Sequence, residues 1–241
     1  MKNIDLKKVL LIIQKELNHY LNNPSFYVLA SIFLLICGYF YSQPLFLLSQ
    51  ANLNSLIEIA PLILSFFAPA LTMRLIAEEK RTQTCEVLFT LPYSEEEIII
   101  GKYLSSLILI SICILFMLPY AITIAVLGRP DYGHIAGTFI SLFFTSAIFL
   151  SAGIFASTIS SNQITSFIIG FAFCFILYIA GKTIMFVSPV FQEFISYIGI
   201  DSHLENISRG VISIKDLIYF LSLIFMFLYF SVFKISLWKV K

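Results

Sequence analysis

The sequence predicts an all-α integral membrane protein with six transmembrane helices, and three observations carry that prediction. Hydrophobic residues make up 59% of the chain, charged residues only 12%, and the mean hydropathy is +0.93, whereas soluble domains carry about 25% charged residues. The apolar runs are close to the roughly 20 residues that a helix needs to cross a bilayer, so 241 residues leave room for about six of them. Charge is also unevenly placed, because ten of the 29 charged residues lie between Arg74 and Lys102, with a long apolar stretch on either side. Residues 1–241 therefore read as a single transmembrane domain with no room for a sizeable soluble one. The net charge of +1 is uninformative about partners, and nucleic-acid binding has no support.

The first element, within residues 1–23, is an interfacial helix. Leu6, Val9, Leu10, Ile13, Leu17 and Tyr20 recur at helical spacing, while Lys7, Lys8, Lys15 and Glu16 fall largely on the other side. Asn22, Asn23 and Pro24 break it, and Pro24 suits the first turn of a span running to about Leu48, with Pro44 bending its outer end. This run follows a polar segment and is too long for a signal-peptide core, so it reads as a retained helix.

The second span covers about Leu56 to Ala77 and contains Pro61 and Pro69, which argue against a straight rod. The third runs from about Ile98 to Leu127 and ends at a turn built from Gly128, Arg129, Pro130, Asp131 and Gly133. The fourth spans Ile135 to Ile159, and Ser160 to Gln163 forms a minimal turn into the fifth, Ile164 to Val187. Those two must be adjacent and antiparallel. Gly153, Ala156 and Ser157 suit close helix approach in the fourth.

Residues 188–213 form a longer connection. Phe191, Phe194, Ile195 and Ile198 follow Pro189 at helical spacing, too few to span, so a short interfacial or re-entrant helix is expected between the fifth and sixth spans. The sixth span runs from Leu217 to Trp238, with Ser213 and Asp216 spaced as a capping box.

Placing the N-terminus in the cytosol puts eleven of the 15 Lys and Arg residues on that side, leaving Arg129, Lys182, Arg209 and Lys215 opposite. The bias favours both termini inside, an even number of spans, and a multi-pass protein of the cytoplasmic (inner) membrane.

The charged segment 78–97 then faces the cytosol. Glu78, Glu79, Lys80 and Arg81 end the second helix, Thr82 to Leu91 can form a short helix, and Pro92 stops it. Ser94 and Glu97 make a second capping box, with Glu95 and Glu96 adding acids where the helix dipole favours them. Cys85, Leu88 and Phe89 share one face of the short helix, and something must cover it. Two covers fit: the membrane interface or the chain's own helices, and a partner's groove.

The stretch MRLIAEEKRTQTCEVLFTLPYSEEEIIIGKYLSSL, Met73 to Leu107, resembles the cytosolic loop of ABC-2 type transporter permeases. Glu78, Glu79, Arg81, Thr84, Glu86, Leu88, Pro92, Gly101 and Lys102 match that family's pattern in order, while Gln83 stands where it commonly has glycine. A second stretch, SRGVISIKDLIYFLSL from Ser208 to Leu223, is similar to the family's entry into its last helix. The likeness is greatest to the small six-helix permeases of the gliding-motility and nitrous-oxide-reductase-maturation kind.

The resemblance implies the permease subunit of an ATP-binding-cassette exporter or ATP-driven membrane machine, paired with a second permease copy or paralogue and with a cytosolic ABC ATPase. In such systems the loop between the second and third spans is a coupling helix, which assigns ATPase coupling to Glu78, Glu79, Arg81, Thr84, Glu86, Leu88, Phe89 and Pro92. It implies no cofactor, metal or catalytic residue on this chain, with ATP and Mg held by the partner ATPase. The sequence itself contains no GxxxxGK[ST] phosphate loop.

Other classes find less in the residues. An intramembrane enzyme needs polar groups converging at membrane depth, but His19 falls in the interfacial helix and His134 and His203 in outer loops, where surface roles are expected. An ATP-independent secondary transporter or channel would use buried charges, and Glu58 and Lys182 lie near enough to a span end to snorkel. Tyr39, Tyr41, Tyr120, Tyr178 and Trp238 fit an aromatic belt. Cys37, Cys113 and Cys174 lie in apolar runs with no CxxC pairing, so all four cysteines read as packing residues.

Overall fold

A computed structural model of the chain describes residues 5–47, 53–84, 92–127, 131–183, 199–211 and 213–239. Among them are ten helices: α1 Leu6–Leu21, α2 Pro24–Leu47, α3 Asn54–Thr72, α4 Ala77–Arg81, α5 Glu95–Leu115, α6 Leu118–Leu127, α7 Tyr132–Ile159, α8 Gln163–Lys182, α9 Ile200–Ser208 and α10 Ile214–Lys239. Six stretches are long and apolar enough to cross a membrane: Pro24–Phe46, Asn54–Arg81, Glu95–Leu127, Tyr132–Ile159, Gln163–Lys182 and Ile214–Trp238.

Helix α7 is the axle of the bundle, packing against α3, α5, α8, α9 and α10. Its sequence explains this, because Gly137, Thr138, Ser141, Thr145, Ala147, Ala152, Gly153 and Ala156 are small and let neighbouring backbones come close. A methyl group added at Gly153 would collide with the Thr72 hydroxyl of α3, and one at Gly137 with the Ile207 carbonyl of α9. The Gly153–Ala156–Ser157 patch therefore packs inside the chain. Its hydroxyls cost little at membrane depth, since Thr138, Ser141, Thr145 and Ser151 each donate to a carbonyl three or four residues back.

Several boundaries differ from the sequence reading. The third span is broken between α5 and α6 at Phe116 and Met117, where Pro119 has no N–H to give the preceding turn. Gly133, read as part of a turn, lies in the first turn of α7, because the Asp131 carboxylate accepts from the N–H groups of Gly133 and His134. The second span stops at Thr72, and residues 73–76 form an elbow before α4.

At the α7 N-terminal end the bundle is closed by α9. The helical run expected at Phe191, Phe194, Ile195 and Ile198 lies outside the described residues, whereas α9 buries Ile200, His203, Leu204 and Ile207 against α7 and α8. Gly210, at φ +81, reverses the chain after α9 in the left-handed region open to glycine.

His203 is not a surface histidine: it is buried, its Nδ1 lies 2.6 Å from Asp216 Oδ1, and its ring stacks on Tyr219 at 4.0 Å. Asp216 thus turns inward, and the expected capping box is reduced to Ser213 Oγ accepting from the Lys215 N–H at 3.3 Å. Lys182 meets Asp201 at 3.0 Å, binding the end of α8 to α9.

Candidate functional site at the elbow between α3 and α5

The opposite end of the bundle carries the charged segment, and its two ends are fixed by different devices. At its C-terminal end the predicted capping box is present: Ser94 Oγ accepts from the Glu97 N–H at 3.2 Å and Glu97 Oε2 from the Ser94 N–H at 2.9 Å. Glu97 does more than cap its own helix, because its Oε1 accepts from the Asp5 N–H at 2.9 Å, and Asp5 is the N-cap of α1. Lys8 donates to the Pro92 carbonyl at 2.6 Å. The start of α1 and the start of α5 are therefore one capped unit.

One turn along α5, Gly101 and Lys102 perform two tasks. A Cβ at Gly101 would stand 2.7 Å from Ile12 Cγ2, so glycine is what allows α1 to lie directly on α5. Lys102, 2% exposed, spends its three ammonium protons on Glu16 Oε1 at 2.9 Å, Glu79 Oε1 at 2.8 Å and the Leu75 carbonyl at 2.7 Å. This buried node joins α1, the elbow, α4 and α5.

The node corrects one reading. Glu16, set on the polar side of α1 from the sequence, is buried. The packed face of α1 is Val9, Ile12, Glu16 and Tyr20, while Leu6 and Leu10 are exposed. Burying a cation is tolerable only with paired acceptors, and Glu16, four residues from Ile12 and from Tyr20 on the packed face, is placed to supply one.

The elbow itself is held by side chains from three other helices. A helix end leaves backbone groups without partners, and here they are supplied from outside. Tyr20 of α1 donates to the Leu71 carbonyl at 2.6 Å, and its burial pushes the phenol well above its ordinary pKa, keeping it a neutral donor. Ser157 of α7 accepts from the Ile76 and Ala77 N–H groups at 3.1 and 3.0 Å and donates to the Met73 carbonyl at 3.2 Å. Ser157 uses all three of its positions.

Of the predicted residues, Glu79 joins the node, Glu78 is half-buried one position earlier, and Arg81 is exposed. Thr84 donates to the Glu79 carbonyl at 3.3 Å and, with Thr82 on Glu78, closes the end of α4. Gln83 stands between them at φ 59, in the left-handed region where glycine is at ease. Lys80 lies over the Trp238 ring at 3.7 Å, bringing the end of α10 to α4. Pro92 contributes its carbonyl to Lys8, whereas Glu86, Leu88 and Phe89 lie outside the described residues. Of the short helix expected from Thr82 to Leu91, Thr82 and Gln83 form a turn, and residues 85–91 lie outside the described residues.

Sequence reasoning missed Glu16, Tyr20 and Ser157. A signal existed only for the Lys102 partner of Glu16, since a lysine set behind an apolar triplet at the mouth of a span demands a counter-ion. Among the described residues no group of three or more His, Cys, Asp or Glu is placed to hold a metal ion.

The comparisons with known proteins bear on the chain as a whole. Residues 10–236 match the family described as ABC-2 family transporter protein. A search of curated proteins gives no significant match. The family match spans nearly the whole chain and includes the elbow, the node and all six spans, so the chain belongs to the ABC-2 transporter family and is a multi-pass membrane permease subunit.

Proposed function

We propose that this permease subunit is driven by a separate ABC ATPase, which holds ATP and Mg and pushes on segment 78–97. Both termini lie in the cytosol, the membrane is the cytoplasmic one, and the working unit contains two permease chains, identical or related. Glu78, Glu79, Arg81, Thr84, Glu86, Leu88, Phe89 and Pro92 form the receiving segment.

One observation carries this reading: the two described ends of the segment are bonded to the bundle and not left as free loop. Glu79 and Leu75 are tied through Lys102 to α1 and α5, and Pro92 and Ser94 through Lys8 and Glu97 to the same two helices. A sideways load on residues between those ends passes directly to rigid helices. Unanchored ends would absorb it.

Replacing Leu88 and Phe89 with aspartate tests the assignment. The variant is expected to insert and fold but to lose its ATPase on co-purification; undiminished recovery of the ATPase would refute the coupling role. Orientation is checked with a membrane-impermeant thiol reagent. Cys37, Cys113 and Cys174 are buried, so the label reports on Cys85, expected to react only in inside-out vesicles.

A further inference from the structure

A cleft of about 910 Å³ opens between the second half of α1, the start of α2 and the elbow. Its walls are divided by level. Phe26 and Leu29, in the first turns of α2, face Ala70 and Leu71, in the last turn of α3, and these apolar residues sit within the spans. Beyond the end of α3 the lining turns polar, with Arg74 and Glu78. That is the division between acyl chain and headgroup at a bilayer surface.

Arg74 and Glu78 are the unusual pair here. The Glu78 N–H donates to the Arg74 carbonyl at 3.3 Å, so the two stand one turn apart, and both are half-buried. Opposite charges at this spacing ordinarily pair on a helix surface. Yet among the described residues neither side chain makes an ion pair or hydrogen bond. Arg74 and Glu78 line the same cleft as Tyr20.

The remaining charges decide what would fit. Glu16 and Glu79 are occupied by Lys102, and Lys15 and His19 are exposed at the rim. With Lys15, Arg74 and Lys102 set against Glu16, Glu78 and Glu79, the cleft is neutral overall and offers an anionic lipid no net attraction. A ligand carrying a phosphate and an ammonium a few bonds apart satisfies both free heads, because guanidinium holds phosphate through paired donors and carboxylate accepts from an N–H-bearing ammonium.

We propose that this cleft is a binding site for a bilayer phospholipid with a primary-amine zwitterionic headgroup, its phosphate on Arg74 and its ammonium on Glu78. The site does not depend on the ATPase assignment. The apolar walls select the lipid over free phosphate, and the need for ammonium protons selects ethanolamine over choline.

The test is thermal unfolding of the purified chain in detergent with dioctanoyl phosphatidylethanolamine, phosphatidylcholine, phosphatidylglycerol or inorganic phosphate added. Phosphatidylethanolamine at saturation is expected to raise the midpoint by about 5 °C, with phosphatidylcholine and phosphatidylglycerol giving clearly less and inorganic phosphate giving nothing. Arg74→Gln should abolish the gain, and Glu78→Gln should remove the preference for ethanolamine over choline. Equal response to all three lipids, preference for phosphatidylglycerol, stabilisation by phosphate alone, or full gain in both variants would overturn the proposal. If the variants do not fold, native mass spectrometry of the wild-type chain decides: retained phosphatidylethanolamine enriched over its membrane fraction is expected, and no enrichment refutes the site.

Discussion

Lys102 Nζ and Glu79 Oε1 lie 2.8 Å apart, one on the first turns of α5 and the other on the short helix α4, and this contact closes the chain's charged segment into a loop with a fixed base. Glu16 completes the pair into a three-charge node at 2.9 Å. Lys102→Met leaves Glu16 buried without its cation and is expected to destabilise the protein by about 3–5 kcal/mol. Glu79→Gln should cost less, since that carboxylate is 20% exposed against 10% for Glu16. Chemical or thermal unfolding of both single variants in detergent checks the order, and a larger loss from Glu79→Gln would contradict it.

Ser157 is the cap of an elbow that has no cap of its own. Ser157→Ala strands two buried N–H groups, each worth about 1–3 kcal/mol when left unsatisfied. Ser151→Ala is the control, because Ser151 only donates to the Ile148 carbonyl of its own helix. The midpoint of unfolding should fall for Ser157→Ala and barely move for Ser151→Ala.

Gly101 sets the distance between α1 and α5. Gly101→Ala pushes a methyl group to 2.7 Å from Ile12 Cγ2, and overpacking of this kind costs about 1–3 kcal/mol. Ile12→Ala in the same chain removes the Cγ2 atom and leaves the Cβ at 2.9 Å, so the double variant is expected to recover part of the loss and to be more stable than additivity predicts. A strictly additive cycle would mean that α1 does not rest on Gly101.

Gln83 occupies a left-handed conformation that costs a residue with a side chain roughly 1–2 kcal/mol. Gln83→Gly relieves this strain while adding freedom to the unfolded chain worth about 0.5–1 kcal/mol, and the balance is a small stabilisation. Hydrogen exchange at the α4 end should slow in the variant, and faster exchange would argue against the strained turn.

What could be read from the sequence was local. The six spans follow from apolar length, and the Ser94–Glu97 cap needs only residues three apart, so both appear in the structure as expected. Pro119 was equally local, but its effect was masked by an apolar run that continues through it. The node and the elbow depend on partners far along the chain. Nothing near Ser157 marks it as the cap of residues 76 and 77, which lie 81 and 80 positions earlier. Likewise the burial of His203 follows from Asp216, which the sequence pattern assigns to a helix cap. Side-chain direction at these sites is chosen by tertiary partners, and Glu16 was set on the polar side for its charge although it stands four residues from Ile12 and from Tyr20, on their face of the helix.

The separation of 86 residues between Glu16 and Lys102 has a bearing on biosynthesis. The N-terminal helix leaves the ribosome first, with an acid on the side that must later be hidden, and its counter-charge does not exist until two spans have been made. During that interval the helix has only α2 and the Leu71 carbonyl of the second span to hold it. Burial of its acid thus waits for the third span, which brings the only cation placed to meet it among the described residues.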